Sequence, residues 1–303
     1  MCLVSFSKKK EYSSREKFNK WNGKTPIWAY IELTDYCSHK CSWCYGSFPL
    51  KDKKFLSLEK LDKVLSNIKQ MGITQLSLGG GEPTEHPFFN EVLKLAKQYN
   101  FSSMHLLTHG DNLNAEYLKD NGITSVHMNY QGSKTHEKVH KSKYRSQLNG
   151  ILSCLHYNMP LTASITVGAY NIHEIDDIVA ECNNIGFERV RFWETTGVGI
   201  RARKDVSVRE IFSKCKDASI ANGYLYSHSY EPEFMEADIN VPCIQVSNLG
   251  MYIDYQGMVK FCGATKHDIF ITDAVDTTPD EILKRYLDTN LMYNCSKCEA
   301  RNV

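Results

Sequence analysis

The fold is decided by three runs in succession: IWAYIELT (residues 27–34), SLEKLDKVLSNIKQMG (57–72) and QLSL (75–78). The outer two are short and apolar. The middle run carries Leu58, Leu61, Leu65 and Ile68 at helical spacing between a capping Ser57 and a terminating Gly72. Strand, helix and strand in that order make a parallel crossover unit. Working outward, the alternation continues through strand candidates at Met104 to Leu107, Ser125 to Asn129, Leu161 to Val167 and Arg189 to Trp193. Pro87 opens another helix, running to about Tyr99. Six such units fall short of the eight that close a full barrel, so residues 26–222 are expected to form an α/β domain, a partial (β/α)6 barrel open on one side.

In such sheets ligands sit at the carboxyl ends of the strands. The unusual residues fall there. Three cysteines follow the first strand, Gly79 to Pro83 the second, Asn129 to Gly132 the fourth and Glu194 to Gly199 the sixth. Residues 1–25 read as an N-terminal extension. After Asn222 the alternation stops: a hairpin is expected from Met251 to Asp254 and Met258 to Phe261 around Gln256 and Gly257, then a helix from Pro279 to Leu287. Residues 223–303 thus read as a small C-terminal α+β domain with too little apolar material for a core of its own and enough thiolate for a metal staple.

The chain has 303 residues, 42% hydrophobic and 23% charged, which excludes a disordered or collagen-like protein. A formal net charge of +1 provides no global field for indiscriminate nucleic-acid binding. No apolar run approaches the ~20 residues that span a bilayer, and Met1 to Lys20 is charged and lacks the apolar segment of a secretion signal. The expected location is the cytoplasm. Eleven cysteines there need a purpose other than disulfides. Cys154, Cys182 and Cys215 fall in step with apolar helical neighbours and read as core, while Cys2 reads as part of a frayed end.

Cys37, Cys41 and Cys44 form CxxxCxxC in the loop leaving the first strand. Three thiolates leave one coordination place open, as a four-iron cluster with one unligated iron would; with His39 as a fourth ligand they would instead close a zinc site. The segment from Asp35-Tyr36-Cys37 through Cys41-Ser42-Trp43-Cys44-Tyr45 resembles the signature loop of radical S-adenosylmethionine (radical SAM) enzymes, and Gly80-Gly81-Glu82-Pro83 resembles the same family's glycine-glycine-glutamate-proline segment. The resemblance implies a partial TIM-type barrel. It also implies a 4Fe-4S cluster on Cys37, Cys41 and Cys44, with S-adenosylmethionine as cosubstrate. Glu82 would accept from the cosubstrate's ammonium, with glycines allowing close backbone approach. Trp43 and the backbone near Tyr45 would pack against the adenine. Asn129 and Gln131, standing where serine and aspartate are frequent in the family, would bond the ribose.

Cys243, Gly257 and Cys262 in the pattern Cx13Gx4C, followed by Cys295 and Cys298 as CxxC, are similar to the twitch domain, the shorter relative of the SPASM domain. That likeness implies a second, auxiliary 4Fe-4S cluster in an iron-sulfur C-terminal domain; on spacing alone a zinc ribbon fits as well. Four ligating thiolates would close the auxiliary cluster and suit it to accept an electron; three would leave an iron to anchor substrate. Lys134, Lys138, Lys141, Lys143 and Arg145 beyond the fourth strand, and Arg201, Arg203 and Lys204 beyond the sixth, are either a solvated face or a site for an anionic partner.

The family likeness thus implies an enzyme that cleaves S-adenosylmethionine to a 5′-deoxyadenosyl radical and takes hydrogen from a substrate. An oxidative outcome, dehydrogenation or a crosslink, is expected on a peptide or protein side chain or an anionic small molecule. A flavodoxin or ferredoxin would supply the electron. The alternatives are a redox-neutral rearrangement of a nucleotide or sugar, and a noncatalytic zinc-stabilised nucleic-acid-binding protein. No catalytic acid or base and no oligomeric state is read from the sequence.

Overall fold

The computed structural model describes residues 2–9, 24–41, 43–44, 53–195, 206–229, 250–260 and 270–288. The first strand, β1 (Cys2–Ser7), precedes the barrel run of β2 (Trp28–Glu32), β3 (Gln75–Gly79), β4 (Ser103–Thr108), β5 (Ser125–Asn129), β6 (Leu161–Val167) and β7 (Arg189–Glu194). Strands β2 to β7 are the six expected from the sequence. They pair in parallel and in chain order, from Trp28 opposite Gln75 to Val167 opposite Glu194.

Helix α1 (Leu58–Gln70) forms because Ser57 caps it, accepting from the Lys60 N–H at 3.3 Å, and because Leu61, Val64, Leu65 and Ile68 form one buried stripe. Each buried side chain of that stripe contributes about 1.5–3 kcal/mol relative to exposure. Gly72 ends it at φ +84°. Further helices α2 (Phe89–Gln98), α3 (Ala115–Asp120), α4 (Ser133–Val139), α5 (Tyr144–His156) and α6 (Ile175–Ile185) fill the other crossovers. Cys154, Cys182 and Cys215 are fully buried, as their helical spacing predicts. Burial alone pushes the Cys154 thiol up to about 12, so it behaves as a small hydrophobe.

Among the described residues, eleven strands form one sheet. The N-terminal segment departs from expectation: β1 pairs antiparallel with β7, Cys2 lying opposite Trp193, and on its other side with β8 (Leu225–Ser229). Cys2 is therefore in the sheet. At the opposite end, β9 (Gly250–Ile253) runs parallel to β2, and β10 (Met258–Lys260) and β11 (Thr272–Asp273) follow it antiparallel. The predicted hairpin thus extends the barrel sheet. A Cβ on Gly250 would lie 2.0 Å from the Trp28 ring, so glycine is required at that crossing. Tyr30 and Tyr252 stack across the same seam, 4.8 Å between centroids. Glu32, Asp254 and Lys260 are buried beside them, Lys260 Nζ lying 3.5 Å from Asp254 Oδ2. Burial raises the Glu32 carboxyl to about 8, the Tyr252 hydrogen bond partly opposing the shift. The C-terminal helix α8 (Pro279–Asp288), after α7 (Val208–Ala221), buries Ile282 and Tyr286.

Candidate active site

The loop that carries the three cysteines is placed by main-chain contacts at the end of β2. The Thr34 hydroxyl donates to the Lys54 carbonyl at 2.7 Å and accepts from the Tyr36 N–H at 3.0 Å. Asp35 Oδ1 accepts from the Lys54 N–H at 2.9 Å. The second motif is then zipped to it. The Gly81 N–H donates to the Thr34 carbonyl and the Glu82 N–H to the Tyr36 carbonyl, both at 2.8 Å. A Cβ on Gly80 would meet Thr34 O at 2.6 Å, and one on Gly81 would meet Tyr36 O at 2.0 Å. Within the described structure, the glycines make room for the cysteine loop itself. Glu85 adds a further tie, accepting from the Ser38 N–H at 3.0 Å and from the Ser38 hydroxyl.

None of Cys37, Cys41 and Cys44 is in a disulfide, and all three are half-buried. The Cys44 N–H donates to the Cys41 carbonyl at 3.3 Å, with Lys40 left-handed at φ 52° between the first two cysteines. Burial, then the nearby Glu82 carboxylate, push the Cys37 thiol well above its usual range, while the His39 backbone hydrogen bond opposes them. A bound metal centre overrides such penalties, since a coordinating thiol is deprotonated outright. Three thiols outside any disulfide, on one loop at the strand mouth, are a donor set that fits an iron–sulfur cluster held by three cysteines.

Glu82 is 3% exposed. Its Oε1 accepts from the Thr84 and Thr108 hydroxyls, both at 2.6 Å, and its Oε2 from the His109 N–H at 2.7 Å. The carboxylate therefore ties the end of β3 to the end of β4, a structural use beyond the one expected of it. Pro83 follows, buried, at the start of a short 3-10 turn. Asn129 points its amide at Cys41 Sγ across 3.9 Å. Gln131 is fully buried, donating to Asn129 Oδ1 at 2.9 Å and accepting from Asn171 Nδ2 at 3.1 Å. Gln131 thus orients Asn129. Trp43 stacks on Tyr170, with centroids 5.1 Å apart and planes 4° from parallel. Tyr45 lies outside the described residues, as do Cys243, Cys262, Cys295, Cys298, Arg201, Arg203 and Lys204.

Of the two readings open for the basic segment, its described lysines fit the solvated face. Lys134 pairs with Asp177 at 2.8 Å, Lys143 with Glu137 at 3.1 Å and Lys138 with Glu174 at 3.9 Å. Two of these carboxylates come from the crossover after β6.

Beside the cysteine loop lies a group of imidazoles of which the sequence reading singled out His39 alone. His39 lies face to face on His109, centroids 3.8 Å apart, and His136 and His140 complete the group. His39 and His136 are pushed down to about 4 by burial and by neighbouring His109; His140 is pushed down by burial and its three neighbours. His140 Nδ1 lies 3.2 Å from Cys41 Sγ. The signals were present: His136-x3-His140 sets two imidazoles one turn apart, and His109 follows β4 directly.

Residues 31–182 match the family model described as the radical SAM superfamily. Among curated proteins, the chain is 28% identical over 180 residues to the sporulation killing factor maturation protein SkfB of Bacillus subtilis (strain 168), covering 57% of this chain and 44% of the relative. It is 25% identical over 189 residues to the PqqA peptide cyclase of Bradyrhizobium diazoefficiens, covering 60% and 48%. The chain spans about half the length of the curated relatives it matches. Among solved structures, Streptococcus suis SuiB bound to S-adenosylmethionine superposes with a TM-score of 0.70 at 15% identity, over 91% of this chain and 69% of that one. Native anSMEcpe with bound AdoMet and the Cp18Cys peptide gives 0.67 at 16% identity, over 90% and 86%. Those likenesses are of fold. The family match, in contrast, runs through the strands that carry the cysteine loop and the glycine turn, and the chain belongs to the radical SAM superfamily.

Proposed function

We propose that the chain is an enzyme that cleaves S-adenosylmethionine reductively and oxidatively modifies a peptide side chain. The observation that carries this reading is the main-chain zip between the Gly80-Gly81-Glu82 turn and the loop bearing three cysteines that form no disulfide, at the mouth of six parallel strands. Cys37, Cys41 and Cys44 would hold a 4Fe-4S cluster. When bound, that cluster supplies one electron, delivered by a flavodoxin or ferredoxin, to the sulfonium of S-adenosylmethionine, whose 5′-deoxyadenosyl fragment then takes a hydrogen atom from substrate. The chain's own part is placement. Asn129, held by Gln131, would bond the ribose; Trp43 and Tyr45 would flank the adenine; Gly80 to Pro83 would form the wall facing the amino acid end of the cosubstrate.

A peptide is favoured as substrate because a curated relative is a PqqA peptide cyclase and SuiB has been solved bound to its precursor peptide SuiA. The ion-paired lysines beyond β5 weaken the case for an anionic small molecule. Oxidation removes a second electron and a proton after the hydrogen atom, giving a double bond or a crosslink. Cys243, Cys262, Cys295 and Cys298 would hold an auxiliary cluster able to accept that electron. No helix among the described residues is long and apolar enough to cross a membrane. We place the reaction in the cytoplasm, where thiols stay reduced.

Anaerobic reconstitution tests the reading. The cluster's electron paramagnetic resonance should change when S-adenosylmethionine is added, and Cys41→Ala should abolish 5′-deoxyadenosine formation. A spectrum indifferent to the cosubstrate, or a colourless protein carrying only zinc, overturns it.

A further inference from the structure

Three imidazoles converge beside the cysteine loop from two strand ends. His109 follows β4, while His136 lies in α4 and His140 at its carboxyl end, i and i+4 apart. Their ring centroids are 4.3 Å (His109 to His140), 4.9 Å (His136 to His140) and 5.1 Å (His109 to His136) apart. One ligand atom from each lies within 4.8 Å of the other two. All three are buried, at 4%, 0% and 5% exposure.

The hydrogen bonding divides each ring in the same way. His109 Nδ1 meets Asp111 Oδ1 at 3.0 Å, His136 Nε2 meets Ser142 Oγ at 3.2 Å and His140 Nδ1 meets Cys41 Sγ at 3.2 Å. The other nitrogens, His109 Nε2, His136 Nδ1 and His140 Nε2, are buried and have no hydrogen bond of good geometry among the described residues. Gln147 stands beside them fully buried. Its amide nitrogen donates to the His109 and Asn129 carbonyls at 2.6 and 2.8 Å, while its side chain also interacts with His136, and its Oε1 has no hydrogen bond of good geometry among the described residues. Each such orphan costs about 1–3 kcal/mol. Where the imidazole donates in these contacts, to a carboxylate, a hydroxyl or a sulfur, the lone pair is left on its other nitrogen, the arrangement that second-shell partners impose on metal-binding histidines.

We propose that His109, His136 and His140 form a binding site for a divalent first-row transition-metal ion, zinc foremost, distinct from the three-cysteine site, with Gln147 Oε1 or a water as fourth donor. Imidazole donors suit zinc, copper, iron and nickel, and a buried set with a neutral oxygen matches zinc's four-coordinate preference. Such an ion would clamp the ends of β4 and β5 together. Through His140 it would also strengthen the hydrogen bond reaching Cys41.

The test uses the anaerobically reconstituted holoenzyme, with iron occupying its cysteines, titrated with cobalt(II) as a spectroscopic stand-in for zinc. One equivalent should bind with visible d–d bands and no thiolate-to-cobalt charge-transfer band, and zinc should displace it. His136→Ala should weaken binding by more than about tenfold, and Asp111→Asn, which removes only the outward carboxylate, by about 10–100-fold. Full iron content in both variants would confirm that they fold. The site is refuted if the holoenzyme binds no cobalt, if every bound cobalt shows thiolate bands, or if His136→Ala binds undiminished. None of these outcomes depends on S-adenosylmethionine cleavage, so failure of this site is distinguishable from failure of the proposed activity.

Discussion

Gly81→Ala is the most direct way to separate the two motifs. Gly81 is not among the glycines with positive φ, so the substitution imposes no backbone strain of its own. The penalty is contact. The new methyl would lie 2.0 Å from the Tyr36 carbonyl oxygen and 2.4 Å from its carbon, so the glycine turn must withdraw from the cysteine loop. Withdrawal breaks the Gly81-to-Thr34 and Glu82-to-Tyr36 hydrogen bonds. Two such bonds are worth about 1 kcal/mol each, and overpacking a close contact adds about 1–3 kcal/mol. The expected loss is therefore about 3–5 kcal/mol, a fall in thermal midpoint on the order of 10 °C. Iron bound after anaerobic reconstitution should fall with it, because the displaced loop carries all three thiolates. Thermal denaturation and iron analysis read the two effects. A variant that kept both the parent's midpoint and its iron would show that the loops are not held by this contact.

Glu82→Gln should cost about 2 kcal/mol in denaturant unfolding, because charge-assisted acceptors for two threonine hydroxyls and the His109 N–H are replaced by a neutral amide with only one oxygen; unchanged stability would mean that the carboxylate does not tie β3 to β4. Glu32→Gln should show its effect through pH. With the native carboxyl raised to about 8 and the unfolded one near 4.5, the folded parent holds a proton that the unfolded chain releases, and its stability falls as pH rises across that window by about 1.4 kcal/mol per pH unit. The glutamine variant should therefore gain on the parent between pH 5 and pH 8, and a constant difference at the two values would refute a buried neutral carboxyl. Cys298→Ala should still form 5′-deoxyadenosine while losing the modified peptide, measured by mass spectrometry; intact turnover would remove the auxiliary cluster as electron acceptor.

What the sequence revealed and what it hid follow from the range of each interaction. The strands from Trp28 to Glu194 were legible because each is a local apolar run between turn residues, and parallel pairing in chain order needs no further information. The placement of the cysteine loop and the glycine turn at neighbouring strand ends followed from that order. β1 was not legible, since Cys2–Ser7 becomes a strand through antiparallel partners at Arg189–Glu194 and Leu225–Ser229. The choice between the two readings of the lysines beyond β5 was hidden for the same reason: the acid that pairs with Lys134 lies 43 residues away. The imidazole group was half legible. His136 and His140 announced themselves by spacing, but only the fold brings His109 to them.

The zip at the strand mouth has a practical corollary. Its hydrogen bonds run from peptide nitrogen to peptide oxygen, so they specify position without specifying side-chain chemistry. A combinatorial library that varies Lys40 and Ser42 while keeping Ser38, His39, Trp43, Gly80 and Gly81 should thus retune what the entrance admits and leave its location fixed, making this loop a natural starting point for redirecting selectivity.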